Sequence, residues 1–269
     1  RRTSPDILMR RMETLGCSLS SSIPHRGKHE TYKPSFSNTC SMYISSTNST
    51  NTLMRELLAK GEWPEEEQFL YAGYQTAGRG QTGNGWESEP DKNLICSILL
   101  PNKNLYFLNI AVSVAIIRLI GEPFTIKWPN DIYYRDKKLA GILLENAIVG
   151  STVKYSIAGV GLNVNQTKFT SDAPNPVSLK QITGKTYDID QLMKDLFEEV
   201  KAVLNEPEER IWSNYKDHLY RREGWYAYED QNGRFEARII DVLPTGEIVL
   251  KDKQGNERIY HFKQIRYVL

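Results

Sequence analysis

The groups able to do chemistry cluster between Tyr74 and Asn163. YQTAGRGQTGNGWES, from Tyr74 to Ser88, carries Gly78, Gly80, Gly83 and Gly85, one arginine, Arg79, and Trp86 just beyond the last glycine. Glycine lets backbone amides approach an anion closely, and arginine adds a bidentate donor to phosphate or carboxylate. The loop is neither a dinucleotide G-x-G-x-x-G opening a helix nor a P-loop, because it lacks the Lys-Ser/Thr ending. Read alone, it is also compatible with a glycine-rich surface turn. IKWPND follows, with Lys127 and Asp131 flanking Trp128-Pro129, and the proline biases Trp128 towards extended backbone. Lys127, Asn130 and Asp131 could serve a polyphosphate, a divalent metal or an attacking amine, or form a solvated ion pair. KLAGILLE sets Lys138 at the head of an apolar strand beside Gly141. In AGVGLNVN, Gly159 and Gly161 clear space next to the amide of Asn163.

No nucleophile accompanies these groups. His25, His29, His218 and His261 lie in the first forty residues, a late helix and the C-terminal segment, away from any Ser or Cys partner. Cys17, Cys40 and Cys96 are too few and too scattered for a disulfide framework or a zinc site, which points to a reducing cytoplasm. With 34 basic and 33 acidic residues the formal charge is +1, so bulk electrostatics selects neither nucleic acid nor a membrane surface. What remains is a site of glycines, Arg, Lys, Asn and Asp, suited to binding and activation by charge.

The elements that must hold these groups follow from periodicity. MYISSTNSTNTLMRELLAKG reads as a short strand, a polar run and a helix capped at Thr50 or Asn51 and stopped by Gly61. Phe69–Tyr74 is a strand that delivers the chain into the glycine loop. Asn93–Leu100 is a strand buried on both faces, and LYFLNIAVSVAIIRLI, Leu105 to Ile120, is a buried helix too short and too interrupted to span a membrane. FTIKWPNDIYY and KKLAGILLENAI read as two strands joined at Arg135-Asp136-Lys137, and VKYSIAGVGLNVN as a third. Helices are predicted over Asp190–Leu204 and Glu206–Tyr220. After Arg222, short alternating runs split by QNG, PTG and KQGN predict a small closed β-barrel. The fold class is therefore α/β (α+β): an organised unit over 42–222, a barrel over 223–269, and a leader over 1–41 that is disordered, a targeting segment or extraneous.

Taken in order, the segments resemble the biotin–protein ligases: STN before a helix, QTAGRG-x-x-G-x-x-W, KWPND, K-LAGIL-E and a G-x-G-x-N corner. The likeness runs from Met42 to the C-terminus, where TGEI, FKQI and YVL resemble the SH3-like barrel that ends these enzymes. It implies a mixed sheet related to class II aminoacyl-tRNA synthetases. It also implies two steps, in which biotin and Mg-ATP form biotinyl-5′-adenylate and a carrier-domain lysine then attacks the mixed anhydride. By motif position Arg79, Gly80 and Gln81 hold nucleotide phosphates, Lys127 faces phosphates and Mg2+, and Lys138 reaches the biotin carboxylate and the α-phosphate. Asn130 and Asn163 contact the nucleotide. Ser49, Thr50, Gln75 and Gly78 line the biotin end, Gly141 and Gly159 leave room for its ring and chain, and Trp86 packs over both ligands. Asp131 orients, and in one reading deprotonates, the acceptor lysine.

Two departures from the family pattern stand out. The loop has Gln81, Thr82, Asn84 and Gly85 where many members carry further basic residues, and a second STN, Ser46-Thr47-Asn48, precedes Ser49-Thr50-Asn51; the latter is preferred because the helix follows at once. The resemblance implies ATP and biotin as substrates, Mg2+, a biotin carboxyl carrier protein as partner, and no DNA or membrane; a homodimer through sheet edges is compatible with it. The leader is too short for a winged helix-turn-helix, which points to a monofunctional ligase. Lipoate or octanoate transfer on the same fold, and a non-catalytic biotin or nucleotide module, are the competing readings.

Overall fold

The structure is a computed structural model and describes residues 32–34, 41–63, 68–81, 84–149, 152–171, 173 and 175–268. Apart from 32–34 and 41, the expected leader lies outside them, as do Thr82 and Gly83 of the glycine loop, Cys17, Cys40, His25 and His29. In chain order the first half holds β1 (Tyr32–Pro34), β2 (Ser41–Ile44), α1 (Thr50–Lys60), β3 (Phe69–Ala72), β4 (Leu94–Pro101), α2 (Leu105–Ile120), β5 (Phe124–Lys127) and β6 (Asp131–Tyr134). β7 (Lys137–Val149), β8 (Thr152–Leu162), α3 (Leu179–Thr183), α4 (Ile189–Leu204) and α5 (Glu208–Asp217) follow. The chain closes with β9 (Tyr226–Asp230), β10 (Gly233–Val242), β11 (Ile248–Asp252), β12 (Glu257–Tyr260) and β13 (Arg266–Tyr267).

The first eight strands form one mixed sheet in the order β1-β2-β3-β4-β8-β7-β6-β5. β2 and β3 are parallel, and α1 is the crossover such a pair requires. The alternation of β4, β7 and β8 serves two cores on opposite faces. Ala140, Ile142, Ala158, Val160 and Leu162 pack beneath α2 and α4, while Ala147 and Ile157 join Met54 and Leu58 of α1. α2 is apolar nearly all round because it is enclosed, and Asn104 caps it by accepting from the amides of Tyr106 (2.9 Å) and Phe107 (3.1 Å). Its far end is tied down by Arg118, whose guanidinium donates to both oxygens of Glu206 at 2.5 and 2.9 Å.

Three local expectations are corrected. FTIKWPNDIYY is not one strand but a hairpin, because Lys127 pairs with Asp131 and Trp128-Pro129-Asn130 form its turn. The cap of α1 is Ser49, and Thr50 and Asn51 are buried in its first turn. α3 is a helix that periodicity does not announce, although Ser178 and Gln181 form a capping box that the sequence spells out.

The last five strands make an antiparallel sheet in the order β12-β11-β10-β9-β13, consistent with the SH3-like unit. Tyr228, Ala237, Val242, Ile248 and Leu250 of that sheet share one continuous core with α2 and β5–β8. Trp128 joins the two sheets directly, being 4% exposed and donating from Nε1 to the carbonyl of Gly246 at 3.0 Å. The ion pair of Lys216 with Asp241, at 2.5 Å, ties α5 to β10.

Candidate active site

Strand register, more than any loop, assembles the site. Cross-strand pairing aligns Ile95, Gly161, Gly141, Asp131 and Lys127 in one row across β4, β8, β7, β6 and β5. A second row, Ser97, Gly159 and Leu143, runs beside it. Since side chains alternate faces along a strand, these residues share the face turned towards α1. Glycines at the centre of each row leave a trough in an otherwise filled sheet surface.

The trough belongs to a cavity of about 450 Å³. Ser49, Thr50, Gln75, Arg79, Gly80, Gln81, Trp86, Lys127, Asn130, Asp131, Lys138, Gly141 and Gly159 all line it. Close approach explains two of the glycines. A Cβ at Gly161 would lie 2.3 Å from Cε2 of Trp86, and one at Gly159 would lie 2.5 Å from Oδ1 of Asn51. Trp86 therefore lies flat on the trough floor. Its Nε1 is buried and has no hydrogen-bond partner among the described residues.

The polar end is built from β5–β7. Lys138 Nζ is 2.7 Å from Asp131 Oδ1, and both side chains are partly exposed to the cavity. The same ammonium lies 5.8 Å from the Trp86 ring centroid, within reach of its electron-rich face. Lys127 Nζ sits 5.0 Å from the ring centroid of Tyr133 and 5.1 Å from that of Tyr267. Burial pushes the Lys127 ammonium below the ordinary lysine range; Asp131 opposes this, and the like charges of Lys138 and Arg221 add to it. Asn130 donates to the carbonyl of Ile142, which fixes the amide at the hairpin turn. At the opposite end, Gln75 Oε1 accepts from the amide of Thr50 (2.8 Å) and from its hydroxyl (3.2 Å). This leaves a compact cluster of amide and hydroxyl groups above an apolar slot.

Two predicted residues do not line the cavity. Asn163 turns away, donating from Nδ2 to the carbonyl of Val177 at 3.1 Å, because the chain leaves β8 there to lead into α3. Gly78 acts behind the loop, where a Cβ would meet the Trp86 carbonyl oxygen at 2.4 Å. The sequence also left groups unassigned. Asn51, Leu143, Phe262, Ile265 and Tyr267 line the cavity, the last three reaching in from the C-terminal sheet. Asn51 and Leu143 stand inside recognisable motifs; Phe262, Ile265 and Tyr267 stand in the FKQI and YVL segments, which mark the barrel but not a part in this cavity.

Asp131 is the one carboxylate among the lining residues, and no group of three or more His, Cys, Asp or Glu able to hold a metal occurs among the described residues. That donor set fits Mg2+ carried mainly by a ligand's phosphates, the usual mode for this small, strongly hydrated ion.

A glycine trough in a mixed sheet, bordered by several fixed cations and, among the described lining residues, one aspartate, is suited to holding an anionic ligand with an apolar body. The family model of the biotin/lipoate A/B protein ligases matches residues 43–163. Biotin--[acetyl-CoA-carboxylase] ligase of Mycobacterium tuberculosis is 30% identical over 219 residues, 77% of this chain and 76% of that protein. The bifunctional ligase/repressor BirA of Bacillus spizizenii is 28% identical over 237 residues, covering 81% and 70% respectively. Among solved structures, biotin protein ligase from Aquifex aeolicus in complex with biotin and ATP superposes with a TM-score of 0.68 at 22% identity, over 85% of this chain and 99% of that one. The chain belongs to the biotin–protein ligase family.

Proposed function

We propose that the chain activates biotin with ATP and passes the biotinyl group to a lysine of a biotin carboxyl carrier protein. The observation that carries this reading is the row Gly161-Gly141-Asp131-Lys127 with Lys138 beside it, a glycine-floored trough ending at a carboxylate and two lysines, in a cavity also lined by Arg79, Lys263 and Arg266. The trough accepts the ring and aliphatic chain once the Trp86 indole lifts from Gly161, and Ser49, Thr50 and Gln75 satisfy the polar ureido end. In the first step a biotin carboxylate oxygen attacks the α-phosphorus, and the bond to the bridging oxygen breaks, releasing pyrophosphate. Two anions must meet for this, so Lys138, Lys127 and Arg79 lower their repulsion and stabilise charge at phosphorus. Asp131 and Asn130 are the residues that would hold Mg2+ arriving with the nucleotide, and the ion would supply further charge neutralisation.

In the second step the carrier amine attacks the acyl carbon and AMP leaves. Asp131, which pairs with the Lys138 ammonium at 2.7 Å, orients a second amine and takes up its proton. The catalytic unit comprises 42–222 and the C-terminal sheet unit 223–269, the latter completing the cavity wall. We assign the protein to the cytoplasm, with no DNA partner, on its few scattered cysteines and its formal charge of +1.

Incubation with ATP, Mg2+, labelled biotin and a carrier domain tests the reading directly. Label should appear on the carrier with stoichiometric pyrophosphate. Because the matching family also includes lipoate ligases, pyrophosphate release is compared with biotin and with lipoate. Release with lipoate but not with biotin would overturn the substrate assignment, and biotin binding without any release would leave only a binding module.

A further inference from the structure

Glu145 stands outside the cavity and touches no reacting group, yet it collects side chains from three directions. Its carboxylate accepts from Arg79 Nη2 at 2.8 and 3.2 Å, from Arg55 Nη1 at 3.2 Å and from Asn51 Nδ2 at 2.8 Å. On β7 it follows Gly141 and Leu143 at alternate positions, so it shares their face and sits just past the end of the trough. Asn51 is itself fixed, since its Oδ1 accepts from Ser97 Oγ at 2.6 Å and its Nδ2 also donates to the carbonyl of Leu143 at 3.2 Å. Arg55 is one turn further along α1. The carboxylate is therefore anchored by the scaffold independently of Arg79.

The loop that carries Arg79 is a small hairpin. Arg79 pairs with Gly85, Gly80 N donates to Asn84 O at 2.9 Å, and Trp86 N donates to Gly78 O at 2.9 Å. One leg presents Arg79 and the other presents Trp86. Trp86 is seated over Gly161 and Arg79 on Glu145, so the hairpin is fastened at two points, one apolar and one charged.

We propose that Glu145 is a positioning residue for Arg79, holding the charged leg of the glycine hairpin against the sheet so that the flap stays closed over the trough. The inference rests on the biotin-adenylating reading and adds a means of retention. A flap with Gln81 and Asn84 in place of extra cations is held shut by an ion pair within the protein, rather than by several charges on the ligand. One guanidinium nitrogen faces Glu145, which leaves other donors of the planar fork for phosphate.

Hydrogen exchange of the amides in 77–86 tests this on the full chain without substrates. Arg79→Gln and Glu145→Gln should each speed exchange there by roughly two- to fivefold, the scale of a part-exposed ion pair, and the double variant should be no faster than either single one, because both remove the same fastening. Preformed labelled adenylate, chased with unlabelled biotin, should be lost faster from Glu145→Gln by a similar factor, while the rate of adenylate formation at saturating substrate falls less. Unchanged loop exchange in Arg79→Gln, or effects that multiply in the double variant, would overturn the proposal. Should Glu145→Gln fail to fold, Arg79→Gln decides alone, because its residue lies on an exposed loop. A wild-type chain that forms no adenylate sinks the proposed function and leaves the exchange result standing.

Discussion

The roles proposed for Asp131 in the two chemical steps run through different contacts, and substitution can separate them. Asp131→Asn keeps the shape and the pairing with Lys127 and Gly141 but removes the charge that Lys138 meets at 2.7 Å. The expected outcome is adenylate formation within about tenfold of wild type, with transfer to the carrier slowed by roughly 100-fold, the scale of a lost general base. Single-turnover transfer from preformed adenylate measures this. Lys138→Gln should show the reverse bias, losing adenylate formation first. Lys127 adds a pH signature. Its ammonium deprotonates below the ordinary lysine range, so adenylate formation should fall on an alkaline limb earlier than a free lysine would give. Asp131 is the neighbour that raises this pKa, so in Asp131→Asn the limb should move to still lower pH. A limb that stays in place would show that Lys127 does not govern it.

Individual elements are legible where one segment holds its own signal. The buried helix α2, the Gly61 stop of α1 and the amphipathic α4 are each written in a single stretch of pattern. The Trp-Pro turn is hidden because the alternation on both sides of it looks continuous, and only pairing between Lys127 and Asp131 shows the reversal. Glu145 closes the K-LAGIL-E segment, but its contacts are not legible there because Asn51 and Arg79 reach it across 94 and 66 positions. The same geometry predicts a strict size limit on β8. Gly161→Ala places a methyl 2.3 Å from the Trp86 ring, so the indole must leave its seat. Tryptophan emission should shift to the red and the apparent affinity for biotin should weaken, with only a small change in melting temperature because the strand backbone is unaltered. Unchanged emission and affinity would mean that Trp86 does not rest on the trough in solution.

At the scale of the whole molecule, the C-terminal sheet is a wall of the site as well as an appendage. Turn signals in the sequence mark its strands, but not its contribution of Phe262, Ile265 and Tyr267 to the cavity, since packing between distant segments leaves no periodic trace. Trp128 is one of the bonds between the two parts. Trp128→Phe removes the hydrogen bond to Gly246 and leaves that carbonyl without its indole donor. The loss should cost about 1 kcal/mol by chemical denaturation, the usual net scale of one intramolecular hydrogen bond. The sheet also has its own acid sensitivity. Burial pushes the Asp252 carboxyl up, but hydrogen bonds from the Asn256 side chain and backbone and the guanidinium of Arg258 outweigh it and bring the pKa to about 2. A depressed carboxylate stabilises the fold above its ordinary value of 3.8 and loses that contribution as pH falls towards about 2. The melting temperatures of wild type and Asp252→Asn should therefore differ at neutral pH and converge between about pH 4 and about pH 2. A constant gap across that range would assign the difference to packing.

The row of Ile95, Gly161, Gly141, Asp131 and Lys127 has a consequence for how such a site can change over generations. Its members are neighbours by strand phase, so a one-residue insertion within β7 or β8 would turn every following side chain to the other face, exchanging trough for core. Substitutions can explore this pocket one residue at a time, whereas length changes are confined to the turns between its strands. Variation in ligand preference among descendants of this chain should accordingly be written in residue type along the rows and in loop length at their ends, and hardly ever in the spacing between Lys138 and Gly141.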